Sequence, residues 1–363
     1  MSGGRLRIAV VFGGRSAEHE VSLQSAKNVI AALDPGKYEC VLIGIDREGR
    51  WHLDGTSLRL LNAEDPRLIS LNTEGSRVAL TPDGALIARD SNAILERVDA
   101  IFPVLHGPYG EDGSIQGLAK LADLPCIGAD ILGSAVGMDK DVMKRLLREA
   151  GIGVAPFRCF DSPAEAASGY EEAAAELGSE LFIKPANLGS SVGISHARTR
   201  DEYLAGLEEA FAYDTKVLVE KAIKGREMEV SVLGNRKLAA SVPGEVIAHA
   251  DFYSYEAKYL DENGAALLIP APVPSEVAQG LRDIAVRACK ALCIRGMARV
   301  DCFLEESGTI LVNEVNTIPG FTRISMYPKL WEASGLSYPE LLDKLIELGI
   351  EDFTERRRLR CRP

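Results

Sequence analysis

Residues 299–316 read RVDCFLEESGTILVNEVN, two largely apolar runs joined by a polar turn. If Ser307 and Gly308 form a two-residue hairpin turn, Asp301 faces Glu314 and Arg299 faces Asn316. Side chains alternate across a strand, so these groups share one face of the hairpin. The opposite face is predicted to be core, with Asn313 as its one polar exception, and consists of Val300, Cys302, Leu304, Leu311 and Val315.

Two carboxylates in directly opposed positions, roughly 5 Å apart at Cβ, repel each other unless a proton or a cation lies between them. An amide oxygen beside them suits a hard ion such as Mg²⁺, which binds carboxylates, carbonyl oxygens and phosphate. The face carries no His or Cys, which disfavours zinc. A surface hairpin with solvated acids is the alternative. Arg299 next to such a metal site would indicate that both bind an anion.

Residues 184–195 read KPANLGSSVGIS, a loop of small residues that follows an apolar strand ending at Lys184. Small residues let backbone N–H groups approach phosphate oxygens closely. The loop lacks the GxxxxGK[ST] pattern of a P-loop, and a plain hairpin turn would look the same. Together with Lys140, Lys184 and the acidic hairpin, it outlines a site for a nucleoside triphosphate.

The composition is that of an ordinary soluble globular protein and excludes several classes of partner. The 363 residues carry a net charge of −12, with a sequence pI of about 5.1. Binding to nucleic acid or to an anionic membrane needs a basic field, so we expect neither partner. The basic tail at 355–360 is interpreted as a solvated end. Seven scattered cysteines without a CxxC pair, no signal peptide and no membrane-length apolar run predict a cytoplasmic protein.

The periodicity of the first third predicts a doubly wound parallel sheet. Strand 7–12 ends at two glycines and is followed by helix 16–33, strand 40–45 and strand 100–105. Residues 47–92 are less regular and predict short strands and turns, as an insertion would give. The first domain is expected to end near residue 134.

The remainder alternates helices and strands in an order that predicts an α+β arrangement. Helices are expected at 138–150, 163–177, 275–292 and 338–348, and strands at 152–160, 181–184 and 217–222. Gly234-Asn235 joins strands 228–233 and 237–242 as a hairpin, and Asn263-Gly264 is a second turn signal.

Seven stretches in the same order resemble the D-alanine–D-alanine ligase family of the ATP-grasp superfamily. They are GGRSAEHEVS (13–22), LHGPYGEDGSIQG (105–117), MDK (138–140), KPANLGSSVGIS (184–195), EKAIKGREMEVSVLG (220–234), FYSYEAKY (252–259) and MARVDCFLEESGTILVNEVNTIPGFTRIS (297–325). The resemblance implies an α/β fold, α+β overall. It consists of an N-terminal doubly wound substrate domain (1–134), a central ATP-grasp domain (135–222) and a C-terminal ATP-grasp domain (223–363) with the metal hairpin and a mobile loop at 251–260.

The implied reaction joins two D-alanines with ATP cleavage, for peptidoglycan precursor synthesis. Phosphorylation turns a carboxylate into an acyl phosphate that an amine can attack, and phosphoryl transfer needs positioning and charge neutralisation. By resemblance, two Mg²⁺ (or Mn²⁺) ions bind Asp301, Glu314 and Asn316, with Glu314 bridging. A homodimer formed through the N-terminal domain is implied as well.

The resemblance also implies the ATP contacts. Lys140 and Lys184 contact the α- and β-phosphates and Lys258 the γ-phosphate, while Glu220 and the backbone near Ala222 read adenine and Glu227 binds the ribose. The full implied set is Lys140, Lys184, Ser190, Ser191, Glu220, Lys221, Ala222, Ile223, Glu227, Lys258, Phe303, Asn313 and Glu314.

The two D-alanines would lie toward the N-terminal domain. Glu18 binds the first ammonium, His106 lies near the first carboxylate, and Ser325 and Met326 bind the second carboxylate. Arg299 and the Gly320 N–H stabilise the oxyanion of the tetrahedral intermediate. Glu18, Ser190 and Tyr259 form a hydrogen-bonded trio that closes the mobile loop over the site.

Three alternatives stay open at this point. A ligase that joins D-alanine to D-lactate would be expected to change the YEAKY stretch around Tyr259. A carboxylate–amine ligase of the glutathione-synthetase type would keep the metal hairpin but not GGRSAEHEVS. A catalytically dead nucleotide-binding regulator would be expected to lose part of the metal set or Arg299, and all of these are present.

Overall fold

The computed structural model describes residues 4–53, 60–62, 65, 69–73, 75–248 and 265–360. Its strands are β1 (Leu6–Gly13), β2 (Tyr38–Ile45), β3 (Trp51–Leu53), β4 (Leu60–Leu61), β5 (Ser70–Leu71), β6 (Ser76–Leu80), β7 (Ala85–Ala88), β8 (Ile94–Arg97), β9 (Ala100–Val104), β10 (Phe157–Phe160), β11 (Leu181–Pro185), β12 (Ser195–Ala197), β13 (Val217–Lys221), β14 (Arg226–Gly234), β15 (Ala239–Ala240), β16 (Gly244–Ala248), β17 (Ala265–Leu268), β18 (Gly296–Leu304) and β19 (Ile310–Asn316).

The helices are α1 (His19–Ala32), α2 (Ser114–Leu121), α3 (Ile131–Met138), α4 (Lys140–Glu149), α5 (Pro163–Ser168), α6 (Tyr170–Leu177), α7 (Arg200–Tyr213), α8 (Ser275–Ala291), α9 (Met326–Ala333) and α10 (Tyr338–Arg357). In the described part of the chain, no helix is long and apolar enough to cross a membrane.

The N-terminal sheet has seven strands in the order β8-β7-β6-β3-β2-β1-β9. Strand β1 pairs in parallel with β2 and β9, whereas β3, β6, β7 and β8 extend the sheet in antiparallel fashion. Helices α1 and α10 cover one face, which includes Phe12 and Phe102, and α2 covers the other, which includes Val11 and Ile101. The parallel centre with helices on both faces confirms the predicted fold class, and the region 47–92 supplies the antiparallel extension.

The central sheet has the order β10-β13-β11-β12 and is antiparallel throughout. Two predicted elements next to it were wrong in extent. The helix predicted at 163–177 is interrupted at Gly169, and the strand predicted at 152–160 begins only at Phe157. The helix predicted at 138–150 begins at Lys140, because Asp139 ends α3 and its side chain accepts the Val142 N–H as the N-cap of α4.

The C-terminal sheet has six strands, with β17-β16-β14-β18-β19 in order and β15 paired to β14. The antiparallel pairing of β14 with β15 confirms the hairpin predicted around Gly234-Asn235, but the strand predicted at 237–242 spans only Ala239–Ala240. The turn predicted at Asn263-Gly264 lies outside the described residues. Helix α8 packs its buried side chains, among them Leu281 and Cys289, against β14 and β18. On the opposite face, Met326 and Leu330 of α9 pack against Val246 of β16, and the hairpin β18–β19 presents its polar residues on that same face.

The register of the β18–β19 hairpin agrees with prediction at the polar end and differs at the turn. Arg299 pairs with Asn316 and Asp301 with Glu314, but from Cys302 onward the register shifts by one residue through a β-bulge. The turn closes through Glu305, whose N–H donates to Thr309 and whose carbonyl accepts the Gly308 N–H. Gly308 has a φ of +86°, as a three-residue turn with a glycine bulge requires.

The bulge corrects the predicted core face. Because Asn313 is the extra residue, the side-chain alternation resets and Val312, not Leu311, is the fully buried neighbour of Cys302. Asn313 is thereby released from the core face that the sequence pattern had assigned to it.

Candidate functional site

The polar end of the hairpin is a connected group of charges. Nε and Nη2 of Arg299 donate to the two carboxylate oxygens of Asp301, both at 2.7 Å, and Arg299 Nε also lies 2.9 Å from Glu229 on β14. Asn316 Nδ2 donates to Asp301 at 3.0 Å. The strand pairing holds these groups in register, so the predicted shared face exists and Arg299 binds Asp301 in a two-pronged geometry.

A cleft of about 330 Å³ lies between the central and C-terminal sheets. The bulge turns Asn313 toward it, where Asn313 Oδ1 accepts from Lys184 Nζ at 3.3 Å. Most residues of the predicted ATP set line this cleft: Lys184, Ser191, Glu220, Lys221, Ala222, Ile223, Glu227, Phe303, Asn313 and Glu314. Its shape and donors suit a purine with a phosphate chain, since one end is charged and the wall includes Phe182 and Phe303.

Glu220 is the most deeply buried acid of the cleft, with 2% of its surface exposed. Its carboxylate lies 3.2 Å from Lys144 Nζ and accepts from Lys184 Nζ at 2.8 Å. Burial alone would raise the pKa of Glu220, but the two ammonium groups outweigh it and lower the pKa to about 2. Glu220 is therefore an ionised hydrogen-bond acceptor inside the cleft.

The small-residue loop at 184–195 adopts a conformation that favours anion binding. Ser190 and Ser191 have φ values of +52° and +61°, which are unusual for residues other than glycine. The Ser190 hydroxyl donates to Glu18, and the Lys140 ammonium donates to the Leu188 carbonyl. The loop is thus held from both sides, by the start of α1 and by the start of α4. Lys140 Nζ lies 3.8 Å from Glu314, which lines the cleft.

A second group of hydrogen bonds joins the N-terminal domain to the loop that carries Gly320. His106 Nδ1 lies 2.9 Å from the Ile318 carbonyl, and its Nε2 lies 3.0 Å from the Ser25 hydroxyl. Ser25 Oγ also accepts the Phe321 N–H at 3.1 Å. This pattern fits the neutral ring with its proton on Nδ1, since Ile318 offers only an acceptor there.

Glu111 also links the N-terminal domain to the loop that carries Gly320. Its two oxygens accept the Gly107 and Ile318 N–H groups, both at 2.9 Å. Burial and the nearby Glu18 carboxylate raise its pKa above the ordinary range. Residues on both sides of Gly320 are therefore fixed by side chains of the N-terminal domain, which sets the direction of the Gly320 backbone.

Two family models match the chain. The model described as D-ala D-ala ligase N-terminus matches residues 7–129, and the one described as D-ala D-ala ligase C-terminus matches residues 146–347. The chain belongs to the D-alanine–D-alanine ligase family. It is an enzyme of the ligase class, in a family that uses ATP.

Relatives of this ligase family cover the chain almost completely. The D-alanine–D-alanine ligase of Shouchella clausii is 53% identical over 98% of this chain and 97% of its own length. The solved structure of the D-alanine–D-alanine ligase from Coxiella burnetii has a TM-score of 0.83 at 39% identity, covering 98% of both chains. The VanG D-Ala:D-Ser ligase from Enterococcus faecalis also has a TM-score of 0.83, at 38% identity, covering 95% of this chain and 100% of its own.

The remaining predicted ligase residues lie at different distances from the cleft. Lys140 and Ser190 border it through the loop contacts described above. Ser325 is the N-cap of α9, and its hydroxyl accepts the Thr322 N–H at 2.9 Å, with Met326 next to it as the first helical residue. Lys258 and Tyr259, with the loop predicted at 251–260, lie outside the described residues.

Several residues of the site were not predicted. Phe182 stacks on His196 with ring centroids 4.6 Å apart and forms a wall of the cleft. The sequence could have indicated Phe182, because it lies two residues before Lys184 and alternation puts both side chains on the same face of the strand. The sequence indicated Lys144 less clearly, through its position one helical turn after Lys140. Ser25 and Glu111 are brought to the site only by contacts between distant parts of the chain.

His106 should make this ligase less stable in acid. Burial, and to a smaller extent the charge of Arg299, lower its pKa from 6.5 to about 4, against the effect of the Ile318 hydrogen bond. The unfolded chain then binds the proton more readily, so the stabilisation is complete above pH 6.5 and is lost as the pH falls toward 4. The loss amounts to about 3 kcal/mol.

The comparison of wild type with His106→Asn isolates this contribution. Asn keeps a donor near the Ile318 carbonyl but does not titrate in this range. Denaturant unfolding at pH 7 and pH 4.5 should show a larger pH-dependent loss for wild type than for the variant. Equal losses in the two proteins would contradict a neutral, buried His106.

Proposed function

We propose that this ligase joins two D-alanines to D-alanyl-D-alanine, with cleavage of ATP to ADP and phosphate through an acyl phosphate, to supply peptidoglycan precursors. The observation that carries the proposal is the register of the β18–β19 hairpin. It places Arg299, Asp301, Glu314 and Asn316 together at the charged end of a cleft that the predicted ATP residues line.

ATP fits the cleft with its phosphates toward the hairpin. Lys140 and Lys184 would contact the α- and β-phosphates, and Lys258 would supply the charge at the γ-phosphate. Glu220 and the backbone around Ala222, at the other end, suit the amino group and ring nitrogen of adenine. Glu227 borders the cleft where the ribose hydroxyls would lie.

The hairpin donors fit magnesium that is shared with ATP phosphates. Among the described residues no group of three or more His, Cys, Asp and Glu side chains could hold a metal on its own. Two carboxylates and one amide oxygen, from Asp301, Glu314 and Asn316, are the partial set that Mg²⁺ uses when phosphates complete its coordination. Two Mg²⁺ (or Mn²⁺) ions held there, with Glu314 between them, would neutralise charge on the β- and γ-phosphates.

The chemistry balances without covalent help from the protein. A carboxylate oxygen of the first D-alanine bonds to the γ-phosphorus as the bond to the ADP oxygen breaks. The amine of the second D-alanine then attacks the acyl carbon, and phosphate leaves with the C–O bond electrons and takes up the proton that the amine loses. Arg299 and the Gly320 N–H would stabilise the oxyanion of this second step.

The N-terminal domain would bind the first D-alanine. Glu18 is the candidate partner for its ammonium, and Ser325 and Met326 at the start of α9 for the second carboxylate. His106 already uses both ring nitrogens, with Ser25 and Ile318. We therefore assign it the role of holding the Gly320 loop beside the first carboxylate, instead of acting as a base.

The wider arrangement is proposed on the same basis. The three principal sheets support domains at 1–134, 135–222 and 223–363. We infer a homodimer formed through the N-terminal domain, and a cytoplasmic location where ATP and free D-alanine are available.

Phosphate release from ATP and Mg²⁺ tests the proposal directly. The reactions contain D-alanine, L-alanine, or D-alanine with either D-lactate or D-serine, and products are identified by mass. D-alanine-dependent release with D-alanyl-D-alanine as product is expected. If the mixed product forms in preference to D-alanyl-D-alanine, the second substrate is D-lactate or D-serine instead of D-alanine. ATP binding without any D-alanine-dependent phosphate release would overturn the substrate assignment.

Ser190→Ala should uncouple ATP cleavage from dipeptide formation. The hydroxyl donates to Glu18 and ties the phosphate loop to α1, so its removal is expected to let water reach the acyl phosphate. The ratio of phosphate released to dipeptide formed should rise clearly above one. Ser307→Ala, in the exposed hairpin turn, is the matched control. A ratio of one in Ser190→Ala would argue against this closure.

A further inference from the structure

Lys144 is a buried lysine that does not border the cleft. Its side chain is fully buried on α4, one helical turn after Lys140. Its ammonium lies 3.2 Å from Glu220 Oε1 and 5.9 Å from the centre of the Phe157 ring. Within the described ranges, no group forms an aligned hydrogen bond with this ammonium, and its contact with Glu220 is an ion pair. The Glu220 carboxylate is therefore the counter-charge of this buried ammonium.

The other cation on Glu220 is needed elsewhere when ATP binds. Lys184 donates to Glu220 at 2.8 Å and to Asn313 at 3.3 Å in this structure. The proposed function assigns Lys184 to the phosphates and Glu220 to the adenine amino group. If Lys184 were the only positive charge near Glu220, binding of Lys184 to the phosphates would leave Glu220 without a cation. Pairing with Glu220 would in turn keep Lys184 from the phosphates.

We propose that Lys144 is a positioning residue whose ammonium is the permanent counter-ion of Glu220. It lets Lys184 turn to the ATP phosphates while Glu220 stays an ionised acceptor for the amino group of adenine. Lys144 thereby sets the preference for a 6-amino purine without touching the nucleotide. The inference rests on the proposed ATP site.

The chemistry of a buried carboxylate explains the preference. Without a nearby cation, a carboxylate as buried as Glu220 takes up a proton. The protonated acid donates a hydrogen bond, which opposes the 6-amino group of adenine but matches the 6-oxo group of hypoxanthine. Burial lowers the pKa of Lys144 and the Glu220 carboxylate opposes this effect, while the Lys144 ammonium in turn lowers the pKa of Glu220.

Lys144→Met is the variant that separates this role from packing. Methionine fills most of the space of the lysine stem. Loss of one partner destabilises a buried ion pair, but Glu220 keeps Lys184 at 2.8 Å, and thermal unfolding checks that the variant is folded. We expect KM for ATP to rise about tenfold with a smaller change in kcat, because a hydrogen bond to a charged group is affected. The ratio of kcat/KM for ATP to that for ITP should fall by about the same factor.

Two further variants make the test specific. Lys216→Met removes another partly buried lysine, one that pairs with Asp139 and Asp141, and should leave the ATP to ITP ratio unchanged. The double variant Lys144→Met with Glu220→Gln removes both charges and releases Lys184. Its KM for ATP should be lower than that of Lys144→Met alone, a reversal that a damaged fold would not give.

Binding of AMP-PNP by calorimetry separates this inference from the proposed function. If wild type binds AMP-PNP but shows no D-alanine-dependent turnover, the substrate assignment fails, and the same variants are compared by AMP-PNP and inosine nucleotide affinity. An unchanged adenine preference in Lys144→Met, by either readout, overturns the counter-ion role. Equal losses for both nucleotides, without recovery in the double variant, would show that Lys144 is structural.

Discussion

Asp301→Asn is expected to lower kcat by about a thousandfold or more, because it removes a charge from the site proposed for the metal ions and the ATP phosphates. Asparagine has the shape of aspartate, and Arg299 keeps its contact with Glu229 at 2.9 Å. The fold should therefore persist. The measurement is steady-state turnover across a Mg²⁺ titration, with thermal unfolding to confirm that the variant is folded.

Glu314→Gln changes the acid that faces Asp301 on the neighbouring strand β19. It should lower kcat by a similar factor. The matched control is Glu306→Gln, an exposed acid in the turn of the same hairpin, which should keep wild-type turnover. Normal kcat in Asp301→Asn or in Glu314→Gln would refute the metal assignment. A loss that high Mg²⁺ restores would support it, since a weakened site fills again by mass action.

The polar end of the hairpin could be predicted from sequence because two constraints act together there. Alternation puts Arg299 and Asp301 on one face, and the turn signal limits the register. The prediction held at Asp301–Glu314 although the turn itself was wrong, because the bulge at Asn313 compensates for the longer turn. A bulge has no local signature in alternation, so Leu311 was placed in the core where Val312 lies.

The break between α3 and α4 was within reach of the sequence. Asp139 is a good N-cap and is followed by a helical pattern, and its carboxylate accepts the Val142 N–H at 3.0 Å. The helix was predicted to begin two residues earlier, at Met138. The start of α4 matters for the site, because it places Lys140 against the small-residue loop at 184–195.

Contacts between distant segments could not be derived from local pattern. Ser190 and Glu18 are separated by 172 residues, and His106 and Ile318 by 212. No hydrophobic periodicity and no local sequence motif links the two residues of either pair. The family resemblance predicted the first pair as a unit, whereas the Ser25 and Glu111 contacts around the Gly320 loop became visible only in the fold.

Arg299→Lys is expected to lower dipeptide formation by about a hundred- to a thousandfold, as removal of an oxyanion-stabilising donor does. Lysine keeps the charge but loses the planar fork that binds both oxygens of Asp301 at 2.7 Å. Arg299→Met should in addition lose roughly 3 kcal/mol of stability or more, since Glu229 and Asp301 would keep partly buried charges without their shared cation.

The step at which Arg299 acts can be read from the two half-reactions. Acyl phosphate formation is followed by isotope exchange within ATP in the presence of D-alanine, and dipeptide formation by mass. If Arg299 stabilises the tetrahedral intermediate, Arg299→Lys should retain most of the exchange while dipeptide formation falls. If both fall equally and the Mg²⁺ requirement shifts upward, Arg299 acts by orienting Asp301. The geometry permits that second outcome, because the same two N–H groups that would face the oxyanion bind Asp301 in this structure.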